Sequence, residues 1–373
     1  MTKKLFLGII FLSISLSINA QETQEPLQPF LDSLKEDIPE KITKEIVEVE
    51  EEKKIEEKLP ILKKIDMPYS ENPQIDKFRK EYLTDFGKKK LSNTMKRALP
   101  YRDHIHETLK EFGIPLCIEF LPVIESDFTV NAVSKSGATG IWQFMENSIS
   151  GLLHKDDWVD ERKDPWLSTE AAAEKLEYNY SVLKNWELAL AAYNMGLNGI
   201  KSIIKSTGSS DFWWLAENGY LKTETKNYVP KFIAIADLIT NAEYYGLDIE
   251  PFNKNNDIDF EVITLAKQIN IKTFANALKI PYETIKQLNP ALLTEYTPPY
   301  AYTIRIPIGY TEKALAEIKN QYPTKTYKVQ AGDSLWAIAR ANDTTVEEIC
   351  YLNNIDQNDI LSIGTILFLP IIK

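Results

Sequence analysis

One carboxylate stands apart from its neighbours in LPVIESDF, residues 121–128. Glu125 closes a nearly unbroken apolar run that starts at Pro115, PLCIEFLPVIE, whose only other charge is Glu119. A helix of that composition is buried all round, which puts Glu125 at the end of a buried helix. Burial disfavours an ionised carboxylate, and the partial negative charge at a helix C-terminus disfavours it further, so both raise its pKa. A carboxyl that keeps its proton near neutral pH is what general-acid chemistry needs. The competing reading is a structural ion pair with a Lys or Arg, the default for a glutamate in a core.

Three further segments carry side chains suited to a cleft. In SGATGIWQFM (136–145), Gly137 and Gly140 bracket a tight turn before Ile141, Trp142, Gln143 and Phe144, and the stretch reads as a turn leading into a packed aromatic helix. LALAAYNMG (188–196) ends an alanine-rich helix at Gly196, with Tyr193 and Asn194 in its last turn. ETKNYVPKF (224–232) places Glu224 and Tyr228 four apart, on one face of a helix. Singly, each is also what an ordinary turn or helix end looks like.

In this order and spacing, and with DERKDP at 160–165, the segments resemble the catalytic domain of lytic murein transglycosylases of the soluble-lytic-transglycosylase fold, most closely their membrane-bound D branch, over about residues 72–245. The resemblance implies a mostly α, lysozyme-like domain with Glu125 as catalytic acid/base. It implies that Ser126, Gln143, Tyr193, Asn194 and Tyr228 line the sugar cleft, with Glu224 a cleft-region or structural acid. The implied reaction breaks the β-1,4 bond between N-acetylmuramic acid and N-acetylglucosamine without water, leaving a 1,6-anhydro end. A hydrolytic muramidase of the same fold usually employs a second carboxylate. Asp127 lies too close along the chain for that role, and Asp160 and Asp164 read as parts of an Arg162-centred structural network. Two departures from the family stand out: DFTV at 127–130 replaces a small residue and a proline turn, and MENS at 145–148 lacks a proline. Asp127 is accordingly expected to narrow or recharge the cleft rim. A catalytically inactive wall-binding protein with a structural Glu125 is the remaining alternative.

The elements that position these residues are helical. IDKFRKEYLTDF (75–86) repeats Ile75, Phe78, Tyr82 and Phe86 on one face. A second helix follows Pro100 with Ile105, Leu109 and Phe112, stopping at Gly113. A third runs from Ser168 to Tyr193, capped by Ser168 or Thr169, and a fourth from Tyr228 to Tyr245. These predict a helical domain over 61–247, its core at about 100–245, which the resemblance implies is the catalytic one.

Downstream lies an internal repeat. A shift of 64 residues aligns Ile271 with Leu335, Phe274 with Ile338, Ala275 with Ala339, Ile285 with Ile349, Leu288 with Leu352 and Asn289 with Asn353. Each unit closes on an extended apolar stretch, YTIRIP or ILFLP, which predicts two small β-α-α-β (α+β) modules joined by the segment 309–326. YKVQAGDSLWAIARANDTTVEEICYLNN with ILSIGTILFLP resembles the LysM family, giving a domain over 325–372. That resemblance implies binding of N-acetylglucosamine-containing polymers next to the strand-to-helix loop: Gly332, Asp333, Ser334 and Leu335, with Asn353 and Asn354 after the second helix. Capping and turn roles compete at each of these positions. The earlier copy, 259–309, lacks the AGDSL loop and reads as a degenerate LysM.

The N-terminus combines Lys3 and Lys4, an apolar run from Leu5 to about Ile18, and Ala20, the pattern of a signal peptide over 1–20. Residues 21–60 hold thirteen acidic and six basic residues with four prolines and read as a tether. Export to the periplasm, with peripheral association to the cell wall or membrane, is the expectation. The cysteines, Cys117 and Cys350, lie far from the cleavage point, so no lipid-anchor cysteine is expected; they read as buried thiols. Three histidines without ligand spacing give no call for a metal or other cofactor, and no basic stripe or phosphate loop calls for nucleic acid. The partner expected is the peptidoglycan glycan strand.

Overall fold

A computed structural model describes residues 61–252, 258–321, 324–353 and 355–370. The leader, the tether and Asn354 lie outside the described residues. The region that holds Glu125 is helical: α1 (Pro73–Tyr82), α2 (Asp85–Ala98), α3 (Arg102–Glu111), α4 (Leu121–Ser126), α5 (Pro165–Leu183), α6 (Trp186–Met195), α7 (Leu197–Thr207), α8 (Phe212–Glu217) and α9 (Thr223–Thr240). The fold class is as read from the sequence, mostly α with small two-stranded sheets.

Several helix boundaries differ from their sequence reading, each for a local reason. The face drawn through Ile75 and Phe86 belongs to two helices. Thr84 accepts a hydrogen bond from the Gly87 amide and starts α2 afresh, leaving Phe86 81 % exposed. Gly87 is required at that corner, because a Cβ there would stand 2.6 Å from the Tyr82 backbone. The run from Ser168 to Tyr193 is likewise two helices. Lys184 turns left-handed (φ 52°) and Asn185 caps α6 by accepting from Leu188 N. The true cap of α5 is Asp164, which accepts from the amides of Trp166 and Leu167, with Pro165 at the first helical position. Ser168 and Thr169 turn their hydroxyls back to the carbonyls of Asp164 and Pro165. The fourth helix starts five residues earlier than read, at Thr223, and ends at Thr240.

The core centres on α9, which packs on α1 and α6. Val229, Phe232, Ile233, Ala234, Ile235 and Ala236 are fully buried in it. Ala189, Ala191 and Ala192 let α6 approach closely. Large apolar side chains such as Ile75 and Phe232 each contribute about 1.5–3 kcal/mol on burial. The other charged residue of the apolar run takes the structural role: Glu119 is buried against Arg102 (2.8 Å) and His106 (2.7 Å).

The two repeats fold alike. In the first, β1 (Phe260–Leu265) pairs antiparallel with β2 (Tyr302–Pro307), Phe260 opposite Pro307, around α10 (Ile271–Leu278) and α11 (Tyr282–Leu288). In the second, β3 (Thr324–Lys328) pairs with β4 (Ile366–Pro370) around α13 (Leu335–Ala341) and α14 (Val346–Asn353). The segment between them is not only a joiner: α12 (Thr311–Gln321) buries Ala314 and Ile318 in the core of the first module. Equivalent residues do equivalent work. Asn270 and Ser334 each cap the first helix of their module. Asn289 donates to the carbonyls of Ile285 and Arg305 and accepts from Arg305 N; Asn353 does the same with Ile349 and Phe368. The repeated asparagine ties helix to closing strand, which a two-stranded sheet needs to persist.

The first module is fastened to the helical region. Asp160 N donates to Ala291 O and Leu293 N to Trp158 O, both at 2.9 Å, and Val159 is buried in the module's own core. Arg305 of β2 pairs with the buried Asp164 that caps α5, its guanidinium 4.5 Å from the Trp166 ring centre. Removing one partner of a buried pair strands the other charge. Arg305→Ala is therefore expected to destabilise this region by about 3 kcal/mol, read as a lowered urea midpoint, whereas an unchanged midpoint would mean that Asp164 is satisfied by its amides alone.

Candidate active site

The apolar run around Glu125 folds as a 3-10 turn, Leu116–Phe120, continuing into the short helix α4. Two successive non-glycine residues, Asp127 (φ 51°) and Phe128 (φ 55°), end it in left-handed conformation. Phe128 is 2 % exposed, so its burial holds the reversal in place. Arg97 Nε donates to Asp127 O at 2.8 Å, and Lys90 Nζ lies 3.1 Å from the Asp127 carboxylate. Asp127 does not narrow the cleft rim, since it does not line the cleft and its carboxylate is engaged by Lys90 of α2; its charge reaches the cleft only through its attraction for Lys231.

Glu125 does line a cleft, of about 870 Å³, formed by α4, α5, α6, α9 and the 134–148 loop. Tyr228 OH donates to Glu125 Oε1. Burial pushes the Glu125 carboxyl up to about 7, opposed by the Tyr228 hydrogen bond, assisted by the negative charge of Glu224, and opposed again by Lys175 and Lys231. The Tyr228 phenol is held well above its usual range by burial and by Glu125, so it stays a donor.

Of the residues singled out from sequence, Glu125, Gln143, Tyr193, Asn194, Glu224 and Tyr228 line this one cleft. Asn194 Nδ2 donates to Glu224 Oε1 (3.2 Å), and its Oδ1 accepts from Thr225 (2.7 Å). Tyr193 OH donates to Trp142 O (2.9 Å), so its role is to hold the loop while its ring forms the wall. Ser126 is not brought to the cleft. Its hydroxyl donates to Ile141 O at 2.8 Å, joining α4 to the same loop.

Residues 140–143 of that loop form a turn, not the aromatic helix expected after Gly140. Trp142 is fully buried and donates from Nε1 to Thr169 (2.9 Å). Gln143 has φ 50° and donates from Nε2 to Gly140 O (2.8 Å). Arg162, in a buried pair with Asp160, donates to Gly137 O and Phe144 O and clamps both ends of the turn. Asp160 and Asp164 are thus committed to Arg162 and Arg305, and neither lines the cleft.

Among the cleft residues that sequence reading missed are its two lysines, Lys175 and Lys231. The signal for Lys231 was available: it follows Tyr228 by three, on the same helical face. Lys175 adjoins the buried stripe of Ala172 and Leu176 on a long helix, where a lysine reads as solvated.

In the second module the LysM residues have local employment. Leu335 is a core residue at 6 % exposure, which corrects its reading as a glycan contact: the first helix of so small a module needs it to bury an apolar face. Asp333 accepts from Tyr327 OH and Gln330 N, Ser334 caps α13, and Gly332 has φ 90° in an open loop. In the first module the corresponding strand-to-helix loop is bonded to the module's own chain: Thr297 N donates to Ile269 O and Ile271 N to Glu295 O. No cluster of metal-ligating side chains occurs among the described residues, and none of their helices is long and apolar enough to cross a membrane.

The transglycosylase SLT domain family matches residues 105–215, the family of MltD-type lytic transglycosylase LysM-like domains matches 259–320, and the LysM domain family matches 327–370. The chain carries a transglycosylase SLT domain followed by LysM-type modules, which supports a peptidoglycan lytic transglycosylase. It is 26% identical over 313 residues to membrane-bound lytic murein transglycosylase D of Escherichia coli strain K12, covering 78% of this chain and 68% of that one. Among solved structures, the 70 kDa soluble lytic transglycosylase Slt70 of Escherichia coli aligns with 21% identity and a TM-score of 0.33, over 39% of this chain and 24% of its own. Lytic transglycosylase Slt of Pseudomonas aeruginosa gives 22% and 0.33 over 40% and 25%. The chain thus spans about a quarter of each of those longer chains.

Proposed function

We propose that this protein is an exported enzyme that cleaves the β-1,4 bond between N-acetylmuramic acid and N-acetylglucosamine in peptidoglycan and leaves 1,6-anhydro ends. The observation that carries this reading is Glu125 itself: a carboxyl raised to about 7, held by Tyr228, at the wall of an open cleft. Protonated Glu125 gives its proton to the leaving glycosidic oxygen as the C1–O bond breaks. The resulting carboxylate takes the proton of the muramoyl C6 hydroxyl, whose oxygen closes on C1, and the starting protonation state is restored. Charge and atoms balance without water. Gln143, Asn194 and the Tyr193 ring supply the polar and flat surfaces a sugar needs. The second module holds the enzyme on the wall, which raises the local concentration of strands.

A hydrolytic reading has one observation of its own, Glu224, the second carboxylate lining the cleft. Its bond to Asn194 favours a positioning role. Mass spectrometry of the released muropeptides separates the two. Anhydro-muramic ends are expected; reducing muramic acid as the sole new end would replace this reading with muramidase chemistry.

A further inference from the structure

Two cations sit in the cleft beside Glu125. Lys175 projects from α5, its Nζ 5.0 Å from the Tyr193 ring centre and 5.3 Å from that of Phe144. Lys231 projects from α9, its Nζ 6.0 Å from the Tyr82 ring centre. Both are half-buried, and neither forms an ion pair with a carboxylate among the described residues, although the whole chain carries a net charge of −11. The two carboxyls that share the cleft are otherwise engaged, Glu125 with Tyr228 and Glu224 with Asn194. Aromatic faces make a partial counter-charge for an ammonium, but they leave its hydrogen-bonding capacity open. An ammonium drawn from water without a partner is unfavourable, and burial lowers the proton affinity of both lysines. A ligand carrying negative charge relieves that state.

We propose that Lys175 and Lys231 are specificity-determining residues that bind carboxylates carried on the substituents of the glycan strand, so that the cleft selects carboxylate-bearing strands over neutral N-acetylated ones. This rests on the transglycosylase reading of the same cleft. The lactyl carboxylate of a muramoyl residue that bears no peptide, or the free carboxyls of the peptide that otherwise takes up the lactyl carboxyl as an amide, are the chemical source of such carboxylates. An uncharged glucosamine polymer has none. The pairing places recognition beside the reacting bond, where it can also orient the sugar toward Glu125. Lysine suits the task because a compact ammonium on a flexible stem accepts carboxylates in many geometries.

The test compares full-length wild type, Lys175→Met, Lys231→Met, the double variant and the charge-conserving Lys175→Arg. The substrates are soluble peptidoglycan strands, used either unmodified or with their carboxyls capped by carbodiimide-coupled methylamine. Wild type is expected to prefer the unmodified strands by about 10- to 100-fold in kcat/KM, as charge-assisted hydrogen bonds allow. The double variant is expected to lose that preference, its ratio of kcat/KM on unmodified to capped strands falling to about 1, and Lys175→Arg to keep it. Because both lysines oppose the rise of the Glu125 pKa, the methionine variants should also move the alkaline limb of the pH profile upward. A merely structural lysine would lower both substrates equally and leave their ratio intact, which would overturn the proposal. Wild type cleaving both strands equally well would overturn it alone, whereas wild type cleaving neither would overturn the transglycosylase reading along with it.

Discussion

Replacing Glu125 with Gln is expected to lower turnover on peptidoglycan by about 1,000-fold, within the range that a positioned proton donor supplies, while making the folded protein more stable above pH 7. The two effects have one cause. Burial raises the carboxyl to about 7, so between an unfolded-state value of about 4.3 and pH 7 the native state holds a proton that the unfolded chain has released. Stability from this group is therefore fully present below about pH 4 and falls as pH rises, until the carboxyl ionises in both states above 7. The accumulated penalty is about 1–3 kcal/mol. Glutamine keeps the shape and still accepts from Tyr228, but it carries no such penalty. Urea unfolding should show the variant gaining stability over wild type at pH 8 and matching it at pH 4. An equal midpoint at pH 8, with full activity, would return Glu125 to the structural role of an ordinary buried glutamate.

The same group shapes the pH dependence of catalysis. The first step needs the protonated form, so kcat/KM should fall as pH rises through about 7. The lysines that oppose the rise keep this limb close to neutrality.

What could be read from sequence, and what could not, divides along physical lines. Glu125, Gln143, Tyr193, Asn194, Glu224 and Tyr228 were legible because each stands in a short motif whose order matches a known cleft, and the structure gathers them around one cavity. The modules were legible from a 64-residue repeat that the cap pair Asn270 and Ser334 and the staple pair Asn289 and Asn353 reproduce bond for bond. Ser126 was misplaced because sequence adjacency to Glu125 says nothing of the direction in which a hydroxyl turns. The breaks at Thr84 and at Lys184–Asn185 were hidden because apolar spacing continued across them while single side-chain caps ended the helices. Leu335 and Asn353 were assigned to a ligand by resemblance, yet a module of about fifty residues needs such positions for its own core and closure. Lys175 was invisible since a lysine on a helix ordinarily faces water, whereas Lys231 was legible from its three-residue spacing to Tyr228.

Gly140→Ala is expected to be among the most damaging single changes outside the reacting group. Gly140 has φ 83°, and a Cβ built there would lie 1.7 Å from the carbonyl oxygen of Arg162 and 2.8 Å from its carbonyl carbon. Both atoms are backbone, so no side-chain rotation removes the clash. Arg162 cannot retreat easily, because its guanidinium is buried against Asp160 and hydrogen-bonded to Gly137 O and Phe144 O. The turn must therefore move, and with it Gln143 and Phe144, which line the cleft, and Ile141 O, which receives Ser126. Left-handed strain and overpacking together amount to about 3–5 kcal/mol, and misplacement of the wall by about 1 Å is enough for a 100-fold loss of turnover. Gly137→Ala provides the control. Its φ is 86°, but nothing lies within 4 Å of the added Cβ, so strain acts there without collision and a loss of only about 1 kcal/mol is expected. Urea midpoints and turnover measured on the two alanine variants side by side decide the matter: equal losses would show that the close approach of Gly140 to Arg162 is not what holds this wall of the cleft in place.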